Sequence, residues 1–298
     1  MKNETITHLN ATEIKSYFPS LLEIPENPKE LSIIGDLKNL SSIKKFITIV
    51  GTRKPTPYGI KALERIIEGL AGYPIAIVSG LAYGIDSIAH KLALKHGIMT
   101  ISVPGSGLDE GVLYPRAHVT LAREILERGG LLLSEFPDSQ KSAIWTFPKR
   151  NRIMAGLSEI ILCIEAEQKS GSLITTKFAT DFNKTVAAVP GSIFSSLSNG
   201  PNFLIKLGAF PITCAADLLE LLGFDEEKKE TISQENFLEK LNHIPHAEKI
   251  LALVSRGVSS PSQIEKELSL APQILSVSLS LLELEGIISL QYNNISMK

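Results

Sequence analysis

The chain has 298 residues, 44% hydrophobic and 21% charged, with a formal net charge of −2, an ordinary globular composition with apolar material for one large domain and a small one. Its apolar runs are strand-length, which argues against a membrane span, and the opening MKNETITHLNATEIK has no apolar core of the kind a signal peptide needs. Cys163 and Cys214 lie far apart in apolar surroundings, the pattern of buried thiols rather than of a disulfide or metal pair, so a cytoplasmic protein is expected.

Residues 1–45 read as a lead-in segment laid against a larger body. Thr12–Phe18 suits a short helix, and Pro19, Pro25 and Pro28 forbid a long one. From Phe46 a repeating pattern begins: FITIV (46–50), IAIVS (75–79), IMTISV (98–103), LLLS (131–134), EIILCI (159–164) and TVAAV (185–189) are continuous apolar runs. Segments of helical length alternate with them, at Tyr58–Leu70, Ile85–Lys95, His118–Arg128, Asn151–Leu157 and Leu173–Phe182. Continuous rather than alternating strands are buried on both faces, and their alternation with helices predicts a parallel, doubly wound α/β sheet over 46–223. After a closing helix at Ala215–Leu222, the polar stretch 224–242 reads as a linker. Residues 243–298 follow a different plan: helices over about 246–255, 263–268 and 273–284, the last ended by Gly286, then a hairpin turning at Asn293–Asn294. Three helices and a hairpin is a winged helix-turn-helix order.

The charge is unevenly placed. Lys44 to Arg152 holds 15 Lys+Arg against 9 Asp+Glu, a net of +6, whereas Glu220 to Lys240 holds 7 acidic against 3 basic residues, a net of −4. A local basic surface attracts a polyanion whatever the total charge. The tail, with 4 basic and 5 acidic residues from His243 on and no cation in QILSVSLSLLELE, is poorly suited to reading DNA. A role in partner binding or dimerisation is expected of it.

In doubly wound sheets ligands sit beyond the carboxyl ends of the strands, so the loops there carry the chemistry. Arg53, behind Gly51–Thr52, is placed to give a bidentate phosphate contact, the alternative being a surface ion pair. In FPKRNR, the cations Lys149, Arg150 and Arg152 crowd a helix start, where the dipole disfavours them and an anion would relieve them. Phe147 and Trp145 beside them offer faces for bases, a combination suited to single strands. KSGSLITT brings the hydroxyls of Ser170, Ser172, Thr175 and Thr176 to another helix start, as a phosphate nest or simply as a cap at Ser172. Neither a Walker A loop nor G-x-G-x-x-G after the first strand is present, which argues against mononucleotide and dinucleotide cofactors. Asp86, Glu135 and Glu165 are candidate bases, or orient arginines and cap helices. His90, His96 and His118 have no metal-type spacing. No catalytic residue and no metal ligand is assigned.

The ordered set GTRKPTPYG, VSGLAYGID, GSGLDEGVLYP, LLSEFP, FPKRNRIMAGLS, EAEQKSGSLITT and AVPGS…SNGPNFLIKLGA, over roughly residues 46–210, closely resembles the DprA/Smf family (DNA processing protein A). The resemblance implies an extended Rossmann-like fold with a C-terminal winged-helix-like domain. It implies sequence-independent binding of single-stranded DNA, a homodimer, and delivery of the RecA recombinase onto single strands in natural transformation, with no cofactor and no enzymatic turnover. Carried over by motif, the phosphate pocket takes in Gly51, Thr52 and Arg53, Arg150, Asn151 and Arg152, and Lys169, Ser170, Gly171 and Ser172, with Phe147 stacking on bases. Tyr83 stands where the family commonly has arginine, which removes a cation from the site edge. The longer N-terminal helical domain of many members does not fit in this length. A nucleotide-processing enzyme is the competing expectation, because the cytokinin-activating phosphoribohydrolases have a similar fold. Here their PGGxGT loop is replaced by PGSGLDE.

Overall fold

A computed structural model of the chain describes residues 5–168, 170–224, 244–255, 258–284, 287–291 and 294–297. The described residues up to 224 form one compact unit and those from 244 another. Lys169, the linker beyond Phe224, Gly286 and the turn residue Asn293 lie outside the described residues.

The first unit is organised around a nine-stranded sheet. Six strands follow the predicted runs closely: β3 (Lys45–Val50), β4 (Ile75–Ser79), β5 (Met99–Ser102), β6 (Leu131–Ser134), β7 (Ile160–Cys163) and β8 (Thr185–Ala188). They are parallel, in the order β6-β5-β4-β3-β7-β8, and a two-residue strand β9 (Phe210–Pro211) continues beyond β8. The chain winds outward from β3 in one direction and, from β7, in the other. The crevice beyond the ends of β3 and β7 is therefore the topological switch point, where such sheets place ligands.

The lead-in departs from expectation. It does not merely lie against the body: β1 (Thr7–Asn10) pairs antiparallel with β2 (Glu30–Ile34), and β2 pairs antiparallel with β6, so both strands join the sheet. Between them, helix α1 (Ala11–Tyr17) is started by Asn10, whose side chain accepts from Thr12 and Glu13 backbone N–H while Glu13 reaches back to Asn10. Leu31, Ile33 and Ile34 are buried in the sheet, so the boundary expected at 45 falls inside one packed unit.

The continuous apolar runs are explained by two helical layers. Successive strand residues point to opposite faces: Ile47, Ile77, Ile160 and Leu162 meet α2 (Pro57–Gly69), α3 (Ile85–Lys95) and α8 (Ala215–Leu221), while Val78, Ile161 and Cys163 meet α1, α5 (Thr146–Leu157) and α6 (Ser172–Asp181). The remaining helices of this unit are α4 (Val119–Glu127), packed beside β2 and β6, and α7 (Asn199–Lys206). Cys163 is buried, and burial pushes its thiol up to about 12, so it is an inert core residue.

The second unit contains helices Ala247–Ser255, Pro261–Leu268 and Pro272–Leu284, and an antiparallel pair Ile288–Gln291 with Asn294–Met297. This is the element order that the sequence predicts. Its own core joins Ile250, Ile264, Leu279, Leu282, Ile288 and Ile295.

Candidate nucleic-acid interface

Beyond the ends of β3 and β7 lies a cleft of about 300 Å³, lined by Gly51, Thr52 and Arg53, by Phe147, Arg150 and Asn151, and by Ser170, Gly171 and Ser172. Three separate stretches of chain are thus brought together as the sequence predicts. They are joined to one another: Ser172 Oγ donates to Gly51 O at 2.9 Å, and Asn151 Nδ2 donates to Gly171 O at 3.5 Å. The start of α6 is not capped by Ser172. Its N-cap is Gly171, without a side-chain bond, and Ser170 Oγ instead accepts from Ser172 N–H at 3.2 Å.

Helix α5 begins at Thr146, five residues before the predicted Asn151, so Arg150 and Arg152 sit within the helix rather than ahead of it. Thr146 fixes this start, its hydroxyl donating to Gly105 O at 2.6 Å and its Oγ1 accepting from Ala143 N–H at 3.1 Å. Phe147 then lies directly over Gly105, where an added Cβ would come within 2.6 Å of the ring. Over the ring's face stands Arg53, its guanidinium carbon 5.7 Å from the centroid, and Tyr114 meets the ring edge-on at 5.9 Å. Arg53 is exposed and lines the cleft, so this is an aromatic face and a cation at the rim of one crevice.

Arg150 is different in kind, being only 5% exposed. Its Nη1 donates to Gly80 O at 2.6 Å and to Val103 O, and its Nε donates to Asn151 Oδ1 at 3.0 Å. It crosses so close to Gly80 that any side chain there would overlap the guanidinium. Burial pushes Arg150 down to about 10, Asp86 opposing the shift and Arg53 adding to it. It stays charged at neutral pH. Asp86, at the cleft floor, is pushed up by burial and pulled back chiefly by Arg150.

Arg152 does not enter the cleft. It pairs with Glu135, and both side chains are 7% exposed. Two residues apart on an α-helix is about 200° of rotation, which sends Arg150 and Arg152 to opposite sides. Burial pushes the Glu135 carboxyl up, and Arg152, then Lys149, offset part of that. Arg150 is therefore relieved by carbonyls and Arg152 by one bond to Glu135, which leaves Arg152 Nε and Nη1 buried without a hydrogen-bond partner, while exposed Lys149 lies 5.7 Å over the Phe136 ring. Lys169 lies outside the described residues.

Residues 9–223 match the family described as DNA recombination-mediator protein A. The chain belongs to the DprA/Smf family. Protein Smf of Escherichia coli (strain K12) is 41% identical over 217 residues, which are 73% of this chain and 57% of that protein. DNA processing protein DprA of Bacillus subtilis (strain 168) is 40% identical over 208 residues, 70% of this chain and 69% of that one. Among solved structures, DNA processing protein A from Streptococcus pneumoniae has a TM-score of 0.67 and 38% identity over 72% of this chain and 74% of its own. The protein from Helicobacter pylori, solved for its single-stranded DNA binding mode, has a TM-score of 0.63 and 28% identity over 74% and 95%.

In this DprA/Smf chain the three carboxylates considered as bases are all engaged. Asp86 accepts from Gly80 N–H at 3.2 Å, Glu135 holds Arg152, and both Glu165 oxygens are taken by Thr56, through its N–H at 2.8 Å and its hydroxyl at 2.5 Å. Among the described residues no cluster of three or more His, Cys, Asp or Glu is placed to hold a metal ion. Tyr83 stands against His118, ring centroids 4.9 Å apart, half exposed beside the cleft. Sequence reasoning missed Tyr114 and Glu167 as neighbours of the site. The aromatic in GVLYP was the available signal for the first, and Glu167 had none.

Proposed function

We propose that this chain binds single-stranded DNA without sequence preference and acts as a recombination mediator, delivering a RecA-type recombinase onto the strand. The observation that carries the DNA part is the exposed Arg53 guanidinium over the face of Phe147, at the rim of the switch-point cleft. A phosphate takes the fork of the arginine and draws it off the ring, which leaves that face to a base, and both contacts are indifferent to base identity. Family membership, and a relative solved for its single-strand binding mode, support the same reading. The engaged state of Asp86, Glu135 and Glu165 favours a binding protein over a nucleotide-processing enzyme. The protein is proposed to work in the cytoplasm as a homodimer; among the described residues no helix is long and apolar enough to cross a membrane.

Titration of labelled oligonucleotides tests the DNA part. Single strands are expected to bind more tightly than duplex, with affinity falling steeply as salt rises. Affinity unchanged when Arg53→Ala and Arg150→Ala are combined would sink it. Co-sedimentation of a RecA recombinase with the DNA-bound protein tests the second part, which fails if no more recombinase is recovered than on DNA alone. Release of free base from nucleoside monophosphates would restore the enzyme reading.

A further inference from the structure

A second cleft, of about 620 Å³, opens on the other side of the β3–α2 loop, lined by Thr56, Tyr58, Glu165, Pro190, Gly191 and Ser192 among others. The loop after β8 forms its outer wall and carries Ile193, 80% exposed, and Phe194, at 94% the most exposed large apolar side chain among the described residues. This loop is stiffly held. Tyr58 Oη donates to Pro190 O at 2.5 Å, Gly191 and Asn202 exchange hydrogen bonds at 3.2 and 2.9 Å, and Ala166 N–H donates to Leu197 O at 2.7 Å.

The two clefts share a wall. Glu165 O accepts from Thr52 N–H at 2.6 Å, and the Glu165 carboxylate holds Thr56, so a single residue pins both ends of the ridge between them. Arg53 and Lys54 stand exposed on that ridge. Arg53 stands over Phe147, Lys54 follows it toward Tyr58, and the Tyr58 hydroxyl holds the base of the loop that carries Phe194. Alternation of aromatic faces with cations is what a single strand requires, its phosphates on the cations and its bases on the rings.

We infer that the loop after β8 is a second base-stacking platform, with Phe194 as its face and Tyr58 holding its base at Pro190, and that it receives the nucleotides beyond those held in the first cleft. The inference rests on the single-strand reading above. The strand crosses the ridge at Lys54 and leaves over Phe194.

The test uses the full chain and oligothymidines of about 4 and about 15 nucleotides, spanning the usual range of single-strand sites. Phe194→Ala is expected to weaken the long oligonucleotide by about tenfold and leave the short one unchanged, as loss of one stacked base predicts. Arg53→Ala weakens both. In Phe194→Trp combined with Trp145→Phe, which leaves a single indole, emission is expected to be quenched by the long strand only. Wild-type affinity of Phe194→Ala for both lengths, with Arg53→Ala weakened, overturns the platform and leaves the single-strand reading standing. Equal weakening of both lengths by Phe194→Ala also overturns it, because the ring would then belong to the first cleft. Unchanged DNA affinity with a lower sedimenting mass assigns the ring to contact between copies of the chain, against the inference. Failure of the wild type to bind either length removes both readings.

Discussion

Helix α5 separates two regions that a charge count treats as one. On its cleft side, Arg150 sits among neutral carbonyls with Asp86 nearby and a second arginine at the rim; on its other side, Arg152 is closed against Glu135. The first arrangement keeps two guanidinium groups on the cleft, set against Asp86 and Glu167 in its lining, and the second closes its cation on a carboxylate away from the cleft. What separates them is helical phase. Clustered cations in a sequence do not make a phosphate site until the partner of each is known.

Substitutions on the two sides should separate stability from binding. Arg152→Ala is expected to have the largest effect on folding, about 3–5 kcal/mol, because it leaves the Glu135 carboxylate buried without its partner; urea unfolding measures this, and DNA affinity of the folded variant should stay near wild type. If affinity fell while stability held, Arg152 would belong to the cleft after all. Arg150→Ala should show both effects, a stability loss of roughly 2–3 kcal/mol from the stranded carbonyls and Asp86, and weaker single-strand binding. Arg150→Lys should not rescue it, since an ammonium cannot replace the forked contacts to Gly80, Val103 and Asn151. Arg53→Ala, at an exposed position, should leave the unfolding curve unchanged and reduce affinity by about tenfold or more, the loss of one charge-assisted contact.

A pH series sharpens the same contrast from beneath the cleft. His90, on α3, is fully buried against Thr100 Oγ1 at 2.7 Å, and burial first, then His118 and Arg150, bring it from 6.5 to about 3. The unfolded chain therefore binds a proton between those values that the folded chain refuses. The contribution is fully present above pH 6.5 and is lost as pH falls toward 3. His90→Gln should flatten that part of the stability profile; an identical acid limb in the variant would assign it elsewhere. The smallest effect is expected from removing residues 244–298, which should leave single-strand affinity within about threefold of wild type if phosphate contacts reside in the cleft, and should lower the mass seen in sedimentation instead.

The sheet and the cleft were legible in the sequence because each signal is local. Continuous runs such as Phe46–Val50 have one reading, burial on both faces, and Gly51–Arg53, Phe147 and Ser170–Ser172 each follow a strand end or open a helix. What stayed hidden depends on partners distant in sequence. Arg152 was drawn into the site because Glu135, 17 residues away, is visible only once α5 has a phase. Asp86 could be guessed to orient an arginine, but not that Arg150 was the one. The strands of the lead-in were missed because prolines fall between them and the pairing of β2 with β6 crosses about a hundred residues of chain.

Those two strands also decide where this protein can be cut. Leu131, Leu132 and Leu133 of β6 are wholly buried, with β5 on one side and β2 on the other. A fragment beginning at Lys45, as the motifs alone would suggest, keeps every residue of the cleft but bares β6 as an apolar edge strand, open to pairing with other molecules. Such a fragment should aggregate, whereas one that retains Thr7–Ile34 should stay monodisperse in light scattering. The segment without any binding residue is thus the shield that keeps the binding unit in solution.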